Sequence, residues 1–293
     1  MTVFIGDSGR VLLRRKGSDQ YMYTEVNVSD VRPDVNRFSV DFAHEQLIVG
    51  DRLEISTVNG EDLTWIDHPD ADRMFTRFVH VDAAGGLRLY DTFSDAIRGD
   101  KENSIALKSP VNAQEVQLRV VEGGDSRCLA EVSSYEITTT RETIDLTSLG
   151  SYYRKQYESG LIEGQGRLEC LWTAPSHLSC EYGGVERLEF ASYLARLCIR
   201  LVHGSAFHGQ FFIYTAPNAE SRSVWYESET CIVTNVALTV TPTDLIQTSI
   251  DFVTSGPIAL REGYSSGFLQ LENEFYVLQE DASPGQIELE NPD

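Results

Sequence analysis

Apolar and polar residues alternate along much of the chain with a period of two, which is the pattern of a half-buried β-strand. The clearest case is Val116, Leu118 and Val120, which are separated by Gln117 and Arg119. Residues 164–172 alternate in the same way, and shorter β-favouring runs occupy residues 3–13, 21–28, 47–55, 78–81, 87–90, 133–140, 207–214, 236–240 and 250–252. The pattern predicts a mainly β protein.

Two segments follow a helical period. Phe190, Leu194, Leu197, Cys198 and Leu201 recur at spacings that build one apolar face, so residues 185–203 are predicted to form an amphipathic helix. Residues 91–98 begin with an acidic residue, which suits the N-terminal end of a helix dipole, and predict one short helix.

The same pattern divides the chain into four parts. Residues 1–35 are predicted to supply N-terminal strands to the main domain, and residues 36–110 to form an inserted β-rich accessory domain. Residues 111–271 are predicted to form the main β domain. Residues 272–293 hold seven acidic residues and no basic one, which predicts a solvated acidic segment.

The most specific pattern runs through residues 138–172. It reads TTTRETIDLTSLG over residues 138–150, YESGLIEGQG over 157–166 and RLECLW over 167–172. The first run is interpreted as the end of a strand that enters a loop. Gly160, Gly164 and Gly166 would let the backbone turn sharply before a strand returns from Gly166.

This segment resembles one in the tail tube (major tail) proteins of long-tailed bacteriophages. A second similar region follows in the expected order, with WYESE at 225–229, IVTNV at 232–236, VTPTDLI at 240–246 and TSIDFVTSGPI at 248–258. The two matches together cover about residues 111–262. Each pattern is soft, and their order and spacing make the resemblance more specific than either alone.

The resemblance implies a tail-tube β-sandwich with one flanking α-helix, whose strands merge across six subunits into an inter-subunit β-barrel. Rings of six would stack into a hollow tube that conducts DNA into a bacterial host. The implied partners are further copies of the chain and further tail proteins: baseplate, terminator, tape measure and sheath. The implied location is the virion tail, after synthesis and assembly in the host cytoplasm.

Residues 141–164 would then contact neighbouring subunits or rings. The candidate interface residues are Arg141, Glu142, Asp145, Arg154, Lys155, Tyr157 and Leu161. Glu142 and Asp145 would lie in the joining loop and pair with basic residues, which at an interface fixes register more than it adds affinity. A further hypothesis holds that residues 148–163 stay mobile until they dock on a ring.

Composition narrows the choice of function. The chain carries 45 acidic and 24 basic residues, a net charge of −21, and such a surface disfavours tight binding to nucleic acid or an anionic membrane. It remains compatible with DNA that slides past without sticking. No apolar run is long enough to span a membrane, and the start of the chain lacks the features of a secretory signal. Five cysteines without a CxxC pair indicate reduced thiols.

Three different functions stay open beside the tail tube. The start FIGDS resembles the opening of SGNH-type ester hydrolases, with Ser8 as nucleophile, but the Asp-x-x-His spacing occurs at residues 41–44 and not near the C-terminus. A serine hydroxyl without a positioned base is a poor nucleophile. Glu227 with Glu229 would suit glycosidase chemistry if both lined a cleft. A single-ring tail terminator or a baseplate hub would share the fold of a tube protein.

Metal binding has one weak candidate, the acidic loop at residues 67–72, which could offer oxygen ligands to calcium but lacks the spacing of an EF-hand loop. An exposed polar turn explains the same residues. We expect no enzyme activity, no cofactor and no metal.

Overall fold

The computed structural model describes residues 10–40, 47–124, 126–129, 132–145, 156–172, 188–199, 206–214, 222–240, 246–264, 269–270 and 276–277. The strands in chain order are β1 (Arg10–Arg15), β2 (Met22–Val26), β3 (Val31–Arg32), β4 (Arg37–Ser39), β5 (Arg52–Thr57), β6 (Met74–Val81), β7 (Gly86–Tyr90), β8 (Gln114–Val121), β9 (Arg127–Leu129), β10 (Val132–Asp145), β11 (Gln156–Leu171), β12 (Leu188–Glu189), β13 (Ala206–Tyr214), β14 (Arg222–Thr239), β15 (Gln247–Thr254), β16 (Ile258–Tyr264), β17 (Leu269–Gln270) and β18 (Tyr276–Val277). The helices are α1 (Phe93–Arg98) and α2 (Ala191–Ile199), with 3-10 turns at Pro33–Val35 and Lys101–Asn103.

The strands form two large sheets. The nine-stranded sheet has the order β10-β11-β15-β14-β13-β1-β9-β12, and β16 also pairs with β14. The seven-stranded sheet has the order β2-β8-β5-β6-β7-β4-β3, and β17 pairs with β18 separately. Among the described strands, pairing is antiparallel except between β9 and β12. The predicted mainly β class is confirmed.

The smaller sheet is inserted between two neighbouring strands of the larger one. Its strands all lie between Met22 and Val121, whereas β1 and β9 pair with each other through Leu12 and Cys128. The two linkers run side by side, since Ser18 N–H donates to the Val120 carbonyl and Gly123 N–H to the Arg15 carbonyl. The smaller sheet thus includes β2 and β8, which lie on either side of the predicted accessory domain at residues 36–110. The four-part division of the chain stays a prediction.

Each sheet has its own hydrophobic core. The smaller core is centred on Trp65 and Phe38, whose rings lie 4.9 Å apart. In the larger core, Phe252 stacks on Phe211 at 5.2 Å and meets Phe207 edge-on at 5.7 Å. The cores share no described side chain, so the two sheets are separately packed units.

Both predicted helices are present. Helix α2 buries Leu194 and Leu197 in the larger core, as its periodicity indicates, and the predicted flanks 185–187 and 200–203 lie outside the described residues. Helix α1 begins two residues later than predicted because the Thr92 hydroxyl accepts a hydrogen bond from the Asp95 N–H and caps it. Neither described helix is long and apolar enough to cross a membrane.

The larger sheet is strongly curled. Tyr135 on β10 and Phe211 on β13 are four strands apart in the sheet, which would separate them by about 19 Å if it were flat. Their ring centroids are 6.0 Å apart, and the Tyr135 hydroxyl donates to the Phe212 carbonyl. The aromatic core therefore fills the concave side of the sheet, while polar residues occupy the convex side.

We expect Phe252→Ala to lower the free energy of unfolding by about 3–5 kcal/mol, because it opens a cavity where three aromatic rings meet. Urea denaturation followed by circular dichroism measures the change. Ile213→Ala, at a side chain that is 46% exposed, is the control and should stay within about 0.5 kcal/mol of the wild type. Equal losses in both variants would contradict the placement of the core.

Candidate assembly site

The segment predicted as a loop is largely a long β-hairpin. Strand β10 continues through Asp145 and β11 begins at Gln156, so the interpretation of residues 141–145 and 160–166 as loop is wrong. Backbone pairing overrides the hydroxyl-rich, glycine-rich composition: Thr139 faces Gly164 and Asp145 faces Gln156 across the two strands. The ladder has one irregularity in this stretch, between Arg141 and Thr143.

Gly164 and Gly166 of this hairpin make room for close packing and do not turn the chain. A Cβ atom on Gly166 would lie 2.4 Å from Cζ of Phe252 and 2.8 Å from the Glu136 carbonyl oxygen. A Cβ atom on Gly164 would lie 2.0 Å from Cδ1 of Ile258. A side chain at Gly166 would thus meet backbone, and one at Gly164 would displace the end of the Ile258 side chain. The reason for both glycines is close packing inside a strand.

The predicted interface residues fall on this hairpin wherever they are described. Arg141 is exposed on β10, and Glu142 and Asp145 lie further along the same strand, not in a joining loop. Tyr157 and Leu161 belong to β11, as do residues 156–163 of the segment predicted to be mobile. Arg154, Lys155 and residues 148–155 lie outside the described part of the chain.

The outer half of the hairpin extends beyond the sheet. Residues 165–171 of β11 pair with β15, whereas residues 156–164 pair, among the described strands, with β10 alone. From Thr139 to Asp145 this two-stranded ribbon extends by about 20 Å. Ile162, which faces Arg141 across the ribbon, is 49% exposed. Ile162 was not among the predicted interface residues, although an isoleucine among Glu and Gly residues was the available signal.

The convex face beside the ribbon is polar and net acidic. It carries Glu136, Glu169 and Asp251 against Arg167, whose Nε lies 2.8 Å from Asp251 Oδ1. Hydrogen bonds from Arg167 and Asn235 lower the pKa of Asp251, so this carboxylate stays ionised. The face is thus a fixed array of charges and hydroxyl groups, without a described apolar patch to hold a ligand.

A second charged cluster lies where β1, β13, β14 and β16 meet. His208 Nε2 lies 3.1 Å from Glu227 Oε1, and Arg261 Nε lies 3.2 Å from Glu227 Oε2. Burial works to raise the pKa of Glu227, but hydrogen bonds from Gln210 and His208 lower it overall. A glycosidase acid needs the opposite shift. Although Glu227 and Glu229 line the same cavity of about 350 Å³, the geometry does not support that chemistry.

The candidate calcium loop gains no geometric support. Asp70 pairs with Arg77 at 2.7 Å and Asp67 with Lys108 at 2.6 Å, while Asp72 hydrogen-bonds to Asp62. Within the described ranges no three acidic, histidine or cysteine side chains converge as metal ligands.

The ester hydrolase interpretation depends on Ser8 and residues 41–44. Both lie outside the described ranges. The structure therefore brings no nucleophile and base together for this chemistry among the residues that it describes.

A buried ionic cluster connects the two sheets. Arg15 at the end of β1 is 3% exposed and binds Glu189 of β12 through Nε at 2.7 Å and Nη2 at 3.0 Å. Its Nη1 donates to Asp51 and to the Val49 carbonyl, both at 3.1 Å, on the smaller sheet's side. Burial works to lower the pKa of Arg15, but Glu189, Tyr193 and Asp51 together raise it, and the net shift is upward. Arg15, Glu189 and Asp51 are therefore paired away from water.

Comparison with known proteins gives a limited result. The sequence matches no family model and no curated protein. It is similar to a chain in the virion of a native gene transfer agent particle, with 13% identity over 46% of this chain and 88% of that chain and a TM-score of 0.32. It is also similar to a chain in the tail of an empty gene transfer agent particle with C6 symmetry, with 12% identity over 47% and 87% and a TM-score of 0.33. Values at this level do not establish a family for the chain.

Gly166→Ala should destabilise the protein by about 1–3 kcal/mol, because the added methyl group meets the Glu136 backbone, which cannot move without breaking the ladder. Gly124→Ala is the matched control, since its Cβ would have one contact, 3.9 Å from Arg52 Nη1. Thermal unfolding of both variants tests this. An unchanged Gly166→Ala melting temperature would contradict the close packing of β10 on β11.

The His208 pair predicts a pH dependence. Burial and the nearby Arg14 lower the pKa of His208 below its usual value near 6.5, and Glu227 offsets part of that shift. Between the lowered pKa and 6.5 the unfolded chain binds more protons, so stability should be complete above pH 6.5 and fall as the pH drops below it. Unfolding free energies between pH 5.5 and 7.5 should vary less in His208→Gln. If the unfolding free energies of the wild type and of His208→Gln changed in parallel with pH, the assignment of the pH dependence to His208 would be wrong.

Proposed function

We propose that this chain is a structural subunit of a phage-type tail, and that six copies form a ring that stacks into a tail tube. The observation that carries the proposal is the projecting ribbon of β10 and β11. It coincides with the segment whose motifs resemble tail tube proteins, and it extends about 20 Å beyond its own sheet. Because no described strand other than β10 pairs with residues 156–164, this part of the ribbon suits contact with a neighbour.

Open strand edges support self-association. Among the described strands, β10 pairs with β11 alone and β16 pairs with β14 alone, so each has one edge that no described strand covers. Such edges favour strand addition from another copy. Ring stacking is a heterologous contact that does not close, and it therefore generates a filament.

The convex acidic face is proposed to line the channel. Glu136, Glu169 and Asp251 would present negative charge to DNA and keep the backbone phosphates from binding. The smaller sheet, attached at the far end of the larger one, would then lie outside the tube. Proposed partners are further copies of the chain and further tail proteins, in the virion, with DNA passing through unbound.

Two different functions have tests of their own. A terminator or baseplate hub would use the same ribbon and edges in a single ring, and would differ from a tube protein by not polymerising. An ester hydrolase would lose its esterase activity in Ser8→Ala. No described geometry favours either over the tube.

Negative-stain electron microscopy at rising protein concentration should show hollow filaments with six-fold end views. Ile162→Asp should abolish the filaments or raise the concentration they require by about tenfold or more, since it places an unpaired charge in a contact that excludes water. The matched control is Met74→Asp, at a side chain 58% exposed on the smaller sheet, which should assemble like the wild type.

The outcomes separate the proposals. Filaments that Ile162→Asp leaves intact would exclude the ribbon as the contact. Isolated rings would favour the terminator or hub. A protein that remains monomeric at every concentration, also when mixed with preformed tail initiator complexes, would overturn the tube proposal.

A further inference from the structure

The segment 48–51 connects the smaller sheet to the larger one. Ile48 packs into the larger core, although it precedes β5 of the smaller sheet. Two backbone hydrogen bonds then attach the segment to β6 of the smaller sheet. Gly50 N–H donates to the Val79 carbonyl, and Val79 N–H donates to the Asp51 carbonyl. This short stretch is therefore anchored in both units.

Arg15 contacts this segment in a geometry that depends on its position. A guanidinium group is planar, and its donors point in fixed directions. The Nε and Nη2 atoms of Arg15, along one edge of the guanidinium, donate to Glu189 on the larger sheet. The remaining nitrogen, Nη1, donates to Asp51 and to the Val49 carbonyl on the side of the smaller sheet. All these bonds can form together at one relative position of the two sheets.

Aromatic rings from both units enclose the same plane. The Arg15 guanidinium carbon lies 3.9 Å from the ring centre of Tyr193 on α2 and 5.2 Å from that of Phe93 on α1. Arg127 of β9 lies 3.8 Å from the Phe93 ring centre, and its Nη1 is 3.7 Å from Glu189. A rotation of one sheet against the other would break these stacking contacts as well as the ion pairs.

An open cleft of about 260 Å³ lies beside the cluster. Arg98 of α1 lines it from the smaller unit and Arg196 of α2 from the larger one. A movement that opened this cleft further would break the bonds of Arg15.

We infer that Arg15 fixes the relative orientation of the two separately packed sheets and makes them unfold in one cooperative transition. The double linker alone would let the smaller sheet pivot about residues 16–21 and 122–124. With the bonds of Arg15 formed, the inserted sheet is held at a defined angle to the end of the larger sheet opposite β10. This inference does not depend on the proposed assembly.

The test uses the full chain and the tryptophans it already contains. Trp65 lies in the smaller core, so a Trp172→Phe/Trp225→Phe background reports that core alone by fluorescence. In this background we expect one calorimetric transition whose midpoint coincides with the Trp65 midpoint. In Arg15→Lys, which keeps the charge but loses the planar fork, the Trp65 midpoint should separate from the circular dichroism midpoint by about 5 °C or more. Small-angle X-ray scattering should show a larger radius of gyration.

The control is Arg119→Lys, which makes the same exchange in an ion pair within the smaller sheet, where Nη2 lies 2.9 Å from Glu54. It should keep coincident transitions. Coincident midpoints and unchanged scattering in Arg15→Lys would overturn the inference, as would an equal separation in the control. If Arg15→Lys does not fold, Asp51→Asn removes one charge from the smaller-sheet side and decides the question by the same two readouts.

Discussion

A buried guanidinium that must satisfy acceptors from two sheets at once is the constraint on which the arrangement of this protein depends. Arg15 cannot lose its charge, and Glu189 and Asp51 are as deeply buried as it is. Each group needs the others, because an unpaired charge in such a site is far costlier than an unpaired charge in water. The hydrophobic cores stabilise each sheet, and the relative position of the sheets depends on the contacts between them: the bonds of Arg15, the rings that stack on it, and Ile48 in the larger core.

The ionic cluster around Arg15 lies at one end of the larger sheet, and the projecting ribbon lies at the other. Strands β1, β9 and β12 carry the ionic cluster, and β10 and β11 carry the ribbon, with β15, β14 and β13 between them. Since β1 and β9 are neighbours, the inserted sheet enters and leaves without interrupting the strands on the ribbon side. The chain thus separates the element that adds a second sheet from the projecting ribbon of β10 and β11.

The sequence predicted the strand class and both helices, because each rests on a local period. The prediction of a loop within residues 160–166 was wrong. In isolation Gly160, Gly164 and Gly166 signal a turn, but Gly164 and Gly166 lie in a strand with Ile258 and Phe252 packed against them. Nor could the sequence predict the ionic cluster, because Arg15 and Glu189 are 174 residues apart and neither lies in a recognisable motif. Long-range pairing of charges has no local period.

The curl of the larger sheet connects its core to its edge. The Tyr135 hydroxyl bonds to the Phe212 carbonyl, so β10, the edge strand, is held against a strand four places away. The direction in which β10 presents its outer edge is therefore set by the aromatic core, not by the ribbon itself. For a chain that adds a neighbour at that edge, the curvature within one subunit fixes the angle to the next. The stacked Phe211 and Phe252 make this core close-packed, so the curvature of the sheet is fixed within the chain itself.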